Sequence, residues 1–197
     1  MSMSLIMSMS VFALAASISP GPVNLVCLSS GTKYSIRTGL VFVTGATLGF
    51  ILLFLAIGLG LYSLLEVFPG FQQALKYAGI VFLLYMSLML FNDKGQLSLE
   101  SGQKSTSFMM GILMQWLNPK AWLASASGIG AYTQGDDMTQ VVVFAAVYLP
   151  ICWLSLGSWV GAGAFLRRYI ENPRVLIRLN RSLALAIFIS CLFLVFQ

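Results

Sequence analysis

The chain has 197 residues, of which 58% are hydrophobic and 9% charged, and its mean hydropathy is +0.89. This composition is far more apolar than that of a soluble domain and predicts an all-α integral membrane protein embedded in a lipid bilayer. The formal net charge of +5 does not indicate nucleic-acid binding, because most basic residues fall in the connections between apolar segments, where they set orientation.

Six apolar segments follow one another along the chain, at about 5–27, 40–61, 74–91, 108–132, 141–165 and 175–196. Most are close to the ~20 residues that a membrane-spanning helix needs. Three segments in each half would invert the second half relative to the first, because an odd number of spans reverses the chain's direction. We therefore predict one transmembrane transporter domain over 1–197, with half one at about 1–95 and half two at about 105–197.

Polar residues with prolines interrupt the first and the fourth segment. The first break comprises Ser17, Ser19, Pro20, Gly21, Pro22 and Asn24, and the second comprises Gln115, Asn118, Pro119 and Lys120. A helix running through Pro-Gly-Pro or Asn-Pro must kink or unwind, which frees backbone polar groups. Such groups are tolerated in hydrocarbon only where they face protein or line a cavity. Broken segments in corresponding places of two halves predict the substrate-binding site of a secondary transporter.

Lys120 stands out because a lysine inside a span costs roughly 2.5 to 3.5 kcal/mol on insertion scales. It could pair with a substrate carboxylate or carry a coupling proton. Alternatively, the break makes the fourth segment partly re-entrant and leaves Lys120 near water or bonded to freed carbonyls. For the other polar residues of the breaks, the alternative is a local cap or a helix–helix hydrogen bond. No Asp or Glu lies deep in a segment, which favours a zwitterionic substrate with a neutral side chain over a cationic one.

Nine of the eleven basic residues follow the first, third and fifth segments. They are Lys33, Arg37, Lys94, Lys104, Arg167, Arg168, Arg174, Arg178 and Arg181. By the positive-inside rule these connections are cytoplasmic, so a multi-pass protein with both termini outside is expected.

Two small-xxx-small patterns, Gly45 with Gly49 and Gly157 with Gly161, predict close packing of helices within the chain. Contact between two copies in a homodimer is the alternative. The three cysteines have no metal-ligand spacing and the chain has no histidine, so we expect no metal, no cofactor and no catalytic residue.

Two motifs, Ser19-Pro20-Gly21-Pro22-Val23-Asn24 and Asn118-Pro119-Lys120-Ala121, resemble those of the LysE/RhtB family of bacterial amino-acid exporters. The resemblance covers the whole length, including Gly39, Gly45 and Gly49, Tyr77-Ala78-Gly79, and Leu179-Asn180. Residues 151–157 and 178–185 are most similar to the cysteine and O-acetylserine exporter group.

The resemblance implies export of neutral amino acids or close derivatives, of the cysteine/O-acetylserine or homoserine/threonine type. It also implies the bacterial cytoplasmic (inner) membrane, proton antiport and no cofactor. Some homoserine-type exporters carry an acidic residue in span five, where this chain has Pro150-Ile151, so the group that carries the proton is unassigned. The alternative function is a non-transporting membrane assembly or regulatory subunit.

Overall fold

The computed structural model describes residues 2–61, 69–92, 107–133, 137–167 and 173–195, and all regular elements in these ranges are helical. In chain order the helices are α1 (Met3–Ile18), α2 (Pro22–Lys33), α3 (Ile36–Gly58), α4 (Pro69–Phe91), α5 (Phe108–Trp116), α6 (Pro119–Tyr132), α7 (Met138–Arg167) and α8 (Pro173–Val195). The all-α prediction is confirmed.

The backbone is interrupted at both positions where the sequence predicts a break. Helices α1 and α2 meet at an angle of 62° across residues 19–21. Helices α5 and α6 are separated by Leu117 and Asn118. Both α2 and α6 begin with a proline, at Pro22 and Pro119. Proline suits the first helical position because its missing N–H would have no partner inside the helix.

Two helices in the described part of the chain are long and apolar enough to cross a membrane. They are α3, with 23 residues, and α7, with 30 residues. An 18-residue window in each has a mean hydropathy of 2.6 and 2.0, respectively. The bent pair α1 and α2 is a third candidate if it counts as one span. The apolar part of α4, Tyr77–Phe91, is shorter, and α5 and α6 have 9 and 14 residues. By length and composition alone, the described residues therefore contain two candidate spans, or three with the bent pair, and the six-span topology stays a prediction.

The basic residues are partly placed differently from the expectation. Arg174, Arg178 and Arg181 belong to the first turns of α8 rather than to a connection. Lys94, Lys104 and Arg168 lie outside the described residues, as does the junction between the two halves at about 95–105.

Helix α7 is at the centre of the packing. It lies against α1, α2 and α3, while α3 also packs on α5 and α6, and α4 pairs with α8. Aromatic side chains fill the space between α1, α3, α6 and α7. They are Phe12, Phe50, Phe54, Tyr132, Phe144 and Tyr148. The Phe50 and Tyr148 ring centroids are 4.6 Å apart, within the range in which aromatic pairs add to area burial.

Glycines allow two helix pairs to approach at backbone distance. A Cβ on Gly45 would overlap the carbonyl oxygen of Phe108, and a Cβ on Gly49 would lie 2.7 Å from the Cα of Ile112, so both face α5. By contrast, a Cβ on Gly157 would come no closer than 3.8 Å to Leu40, and one on Gly161 would meet nothing within 4 Å.

The close approach of α7 to α2 falls at other glycines. A Cβ on Gly31 would overlap the carbonyl oxygen of Val160, and one on Gly163 would overlap that of Leu28. The small-xxx-small pattern of α7 thus does not mark the face that packs on α2. Pattern spacing shows which residues share a helix face, but the neighbouring helix decides which face is covered.

Candidate functional site

The two breaks meet in space through Lys120. Its Nζ donates to the carbonyl oxygen of Ser19 at 2.6 Å and to the Ser19 hydroxyl at 2.9 Å. A third acceptor, the carbonyl oxygen of Pro20, lies 3.5 Å away. Lysine and serine are 101 residues apart in the chain. The structure therefore joins the first and second breaks into one site, which we call the break site.

Side chains from other parts of the chain satisfy the carbonyls that the first break frees. Four consecutive carbonyl oxygens, from residue 17 to residue 20, each accept from a side-chain donor. The Asn24 amide donates to Ser17 at 2.8 Å, the Trp159 indole to Ile18 at 3.1 Å, and the Lys120 ammonium to Ser19 and Pro20. This arrangement meets the requirement that irregular backbone at membrane depth be paired within the protein.

The second break is closed in a similar way. The Asn118 side-chain oxygen caps α6 by accepting from the Lys120 backbone N–H at 3.2 Å. The Trp122 indole donates to the freed carbonyl of Trp116 at 2.7 Å. Neither Trp122 nor Trp159 was among the site residues predicted from the sequence. The signal for Trp122 was its position two residues beyond Lys120, since a buried indole N–H requires an acceptor.

A cavity of about 440 Å³ opens beside Lys120, within the range of volumes typical of small-molecule sites. Six of the residues around it belong to the breaks: Pro20, Gly21, Pro22, Asn118, Pro119 and Lys120. The remainder of the wall is Phe12, Ala16, Leu83, Leu123, Ala124 and Ser127. The wall of this cavity thus combines a polar, cationic part with a part that is almost entirely apolar.

A smaller cavity of about 40 Å³ borders Lys120 and Asn118 from another direction. Its polar wall comprises Ser17, Asn24, Gln115, Tyr148 and Cys152. This volume holds about one water molecule, and several polar groups are in place to bind it. All ten residues of the two breaks therefore either line one of the two cavities or, as with Ser19, contact Lys120.

The charge of the break site is unbalanced. None of the described residues around either cavity is Asp or Glu, and the three acceptors around Lys120 Nζ are uncharged oxygens. Within the described ranges no three His, Cys, Asp or Glu side chains are grouped as a metal site would require. A half-buried ammonium without a carboxylate partner can bind an anionic group of a ligand.

Gly21 leaves the room that the Lys120 side chain occupies. Its φ of −165° is extended and open to any residue, so space rather than conformation favours glycine here. A Cβ at this position would lie 3.0 Å from Lys120 Cδ and 3.2 Å from Nζ. We expect Gly21→Ala to displace the ammonium and lower transport by about 10-fold, because misplacing a binding group by a fraction of an ångström is costly.

The matched control is Gly130→Ala on α6, where a Cβ would meet nothing within 4 Å. Both variants are reconstituted in proteoliposomes and their solute efflux is compared with that of the parent. Equal efflux from Gly21→Ala and Gly130→Ala would contradict the role given to this space.

Comparison with known proteins agrees with the family resemblance of the two sequence motifs. The sequence model of the family described as LysE type translocator matches residues 14–197. The leucine efflux protein of Klebsiella pneumoniae subsp. pneumoniae is 24% identical over 182 residues, which are 87% of this chain and 84% of that protein. The cysteine/O-acetylserine efflux protein of the same organism is 24% identical over 170 residues, covering 85% of this chain and 86% of that protein. Its namesake in Escherichia coli (strain K12) is 24% identical over 165 residues, covering 82% and 83%. No solved structure matches the chain.

Proposed function

The chain belongs to the LysE type translocator family of membrane proteins, and on this premise we propose that it exports neutral amino acids across the bacterial cytoplasmic (inner) membrane. The observation that carries the proposal is the contact of Lys120 with Ser19, because it unites both breaks beside a cavity of suitable size. The relatives' names, leucine efflux and cysteine/O-acetylserine efflux, agree with this class of substrate.

The break site offers a complementary group for each part of a neutral amino acid. Lys120 would bind the carboxylate, assisted by the N-terminus of α2, whose N-cap Gly21 supplies no side-chain cap. The wall formed by Phe12, Leu83 and Leu123 would hold an apolar side chain. Ser127 is a hydroxyl within that wall and would suit a small polar substituent. The predicted site residues are thus proposed here as the substrate-binding site.

Packing supports the proposal of two related halves that form a single domain. If α1 to α4 correspond to α5 to α8 in order, exchanging the halves converts one set of contacts into another that is also present. The α1·α7, α2·α7 and α1·α6 contacts become α5·α3, α6·α3 and α5·α2, and all six pairs are observed. We propose six membrane segments in two inverted halves, with both termini outside, and a homodimer as the assembly to test.

Proton antiport is proposed as the driving reaction. Lys120 is the titratable side chain at the junction of the two cavities, and the smaller cavity provides room for a water molecule beside it. Tyr148 and Cys152 also line the smaller cavity. Antiport requires that the proton and the substrate occupy the protein alternately, so the coupling proton would be exchanged with water in the smaller cavity while the larger cavity is empty.

The test is efflux of preloaded amino acids from proteoliposomes with and without an imposed pH gradient. The panel contains leucine, O-acetylserine, cysteine, threonine, homoserine and lysine, for the parent and for Asn118→Ala. We expect saturable efflux of at least one neutral amino acid, accelerated by the gradient, and little efflux of lysine. Asn118→Ala should reduce this efflux, because loss of the N-cap destabilises α6 by about 1 kcal/mol. Absence of efflux for the whole panel from folded protein would overturn the proposal and favour a non-transporting subunit.

A further inference from the structure

We propose that the Lys120–Ser19 contact occupies the place of the substrate. An amino acid would bind by contacting both Lys120 and Ser19 in place of their contact with each other. The substrate carboxylate would replace the Ser19 and Pro20 oxygens around Lys120 Nζ. The substrate ammonium would replace Lys120 on those oxygens. This inference rests on the proposed function and specifies how the site recognises a zwitterion.

The need for such an exchange follows from the acceptors around the larger cavity. An amino acid has an ammonium group that requires hydrogen-bond acceptors once it leaves water. No described residue of the cavity wall is Asp or Glu. The oxygens of Ser19 and Pro20 already bind an ammonium group, because they hold Lys120 Nζ at 2.6, 2.9 and 3.5 Å. A second ammonium would find the same arrangement of acceptors, provided that Lys120 moved.

The neighbouring freed carbonyls are not equally available. Those of Ser17 and Ile18 accept from Asn24 and Trp159, whose donors are uncharged and belong to short or rigid side chains. Lys120 is different because its four-carbon side chain is flexible, so its ammonium group can move to another partner. Of the four carbonyls from residue 17 to residue 20, the two bound to Lys120 are therefore those that can change partner.

The exchange conserves the number of charged contacts only for a ligand with both groups. A ligand without a carboxylate would leave the displaced Lys120 without an anion. One without an ammonium would draw Lys120 away and leave the Ser19 and Pro20 oxygens unpaired. Unpaired buried groups are penalised more than paired ones are rewarded, so the site should discriminate strongly against both kinds of analogue.

The experiment compares three forms of one ligand: leucine, leucinamide and 2-hydroxy-4-methylpentanoate. Threonine, its amide and its 2-hydroxy acid form a second set. Binding to purified protein in nanodiscs is measured for the parent, Lys120→Met, Lys120→Gln and Lys33→Met. In the parent we expect the amino acid to bind about 10-fold or more tightly than either analogue, as a site built for a polar group rejects ligands that lack it.

In Lys120→Met the preference for the amino acid over its amide should be reversed. The amino acid should lose at least about 10-fold in affinity, whereas the amide should bind as well as to the parent or better, because the Ser19 and Pro20 oxygens no longer hold an ammonium. Lys120→Gln is the second variant in case the first fails to fold. Lys33→Met removes a lysine at the far end of α2 and should behave as the parent.

Two results would overturn the exchange. One is a 2-hydroxy acid that binds the parent within about threefold of the amino acid, since the ammonium would then not be recognised. The other is a parallel loss of amino acid and amide in both Lys120 variants. Either result with intact amino-acid efflux contradicts this inference alone, whereas absence of both binding and efflux for every amino acid also contradicts the proposed function.

Discussion

Replacing Gly31 with alanine is expected to destabilise the protein by about 3 kcal/mol, or to prevent folding, because the added methyl group would overlap the Val160 backbone. The contacted atoms are the carbonyl of Val160 and, at 3.0 Å, the amide nitrogen of Ala164. Backbone atoms of α7 cannot turn aside as a flexible side chain can. The only relief is to separate α2 from α7, the helix at the centre of the packing.

Two further glycine variants make this prediction quantitative. Gly39→Ala would meet the side chain of Val160 at 2.6 Å, so a smaller loss is expected. Gly161→Ala would meet nothing within 4 Å and should be neutral or stabilising by up to about 1 kcal/mol, because alanine is the better helix former. The measurement is the thermal unfolding midpoint of each purified variant in detergent. A ranking in which Gly161→Ala is as harmful as Gly31→Ala would contradict the assigned contact.

Replacing Lys120 with methionine is expected to lower amino-acid efflux by about 30-fold or more, since truncating one partner of a desolvated charged pair typically costs about 2 kcal/mol or more. The variant also loses the hydrogen bonds to the Ser19 and Pro20 oxygens, so its unfolding midpoint should fall, and efflux is therefore compared for equal amounts of folded protein.

This combination separates the two interpretations of Lys120. If the lysine only caps freed carbonyls, Lys120→Met should reduce efflux only in proportion to the folded protein that remains. If it binds the substrate, efflux from an equal amount of folded protein should fall. Lys33→Met is the matched control, with efflux from an equal amount of folded protein expected at the parent's value. Unchanged efflux from Lys120→Met would remove the central residue from the proposed site.

Much of the break site could be predicted from the sequence because proline and membrane insertion act locally. Pro22 and Pro119 cannot donate a backbone hydrogen bond, so the helices had to be interrupted near them whatever surrounds them. Lys120 was equally conspicuous, because a charge in an apolar segment requires a partner. Freed carbonyls were one of the alternatives for this partner, but which carbonyls could not be predicted, since the oxygens of Ser19 and Pro20 belong to a segment about one hundred residues away.

Packing details were less accessible. Spacing alone drew attention to Gly157 and Gly161, but the tight contacts of α7 are at Val160 and Gly163, facing Gly31 and Leu28. The indoles of Trp122 and Trp159 illustrate the same limit. Their need for an acceptor is a local property, whereas the carbonyl that meets the need depends on how the helices are arranged.

The membrane environment, the helical class and the places where two segments break follow from the sequence, because composition and proline geometry act on each segment alone. The meeting of the two breaks, the contact of Lys120 with Ser19 and the apolar cavity beside them depend on how the helices are folded together. These are relations between distant segments, and they arise from which helix faces fit together, a property that no single segment encodes.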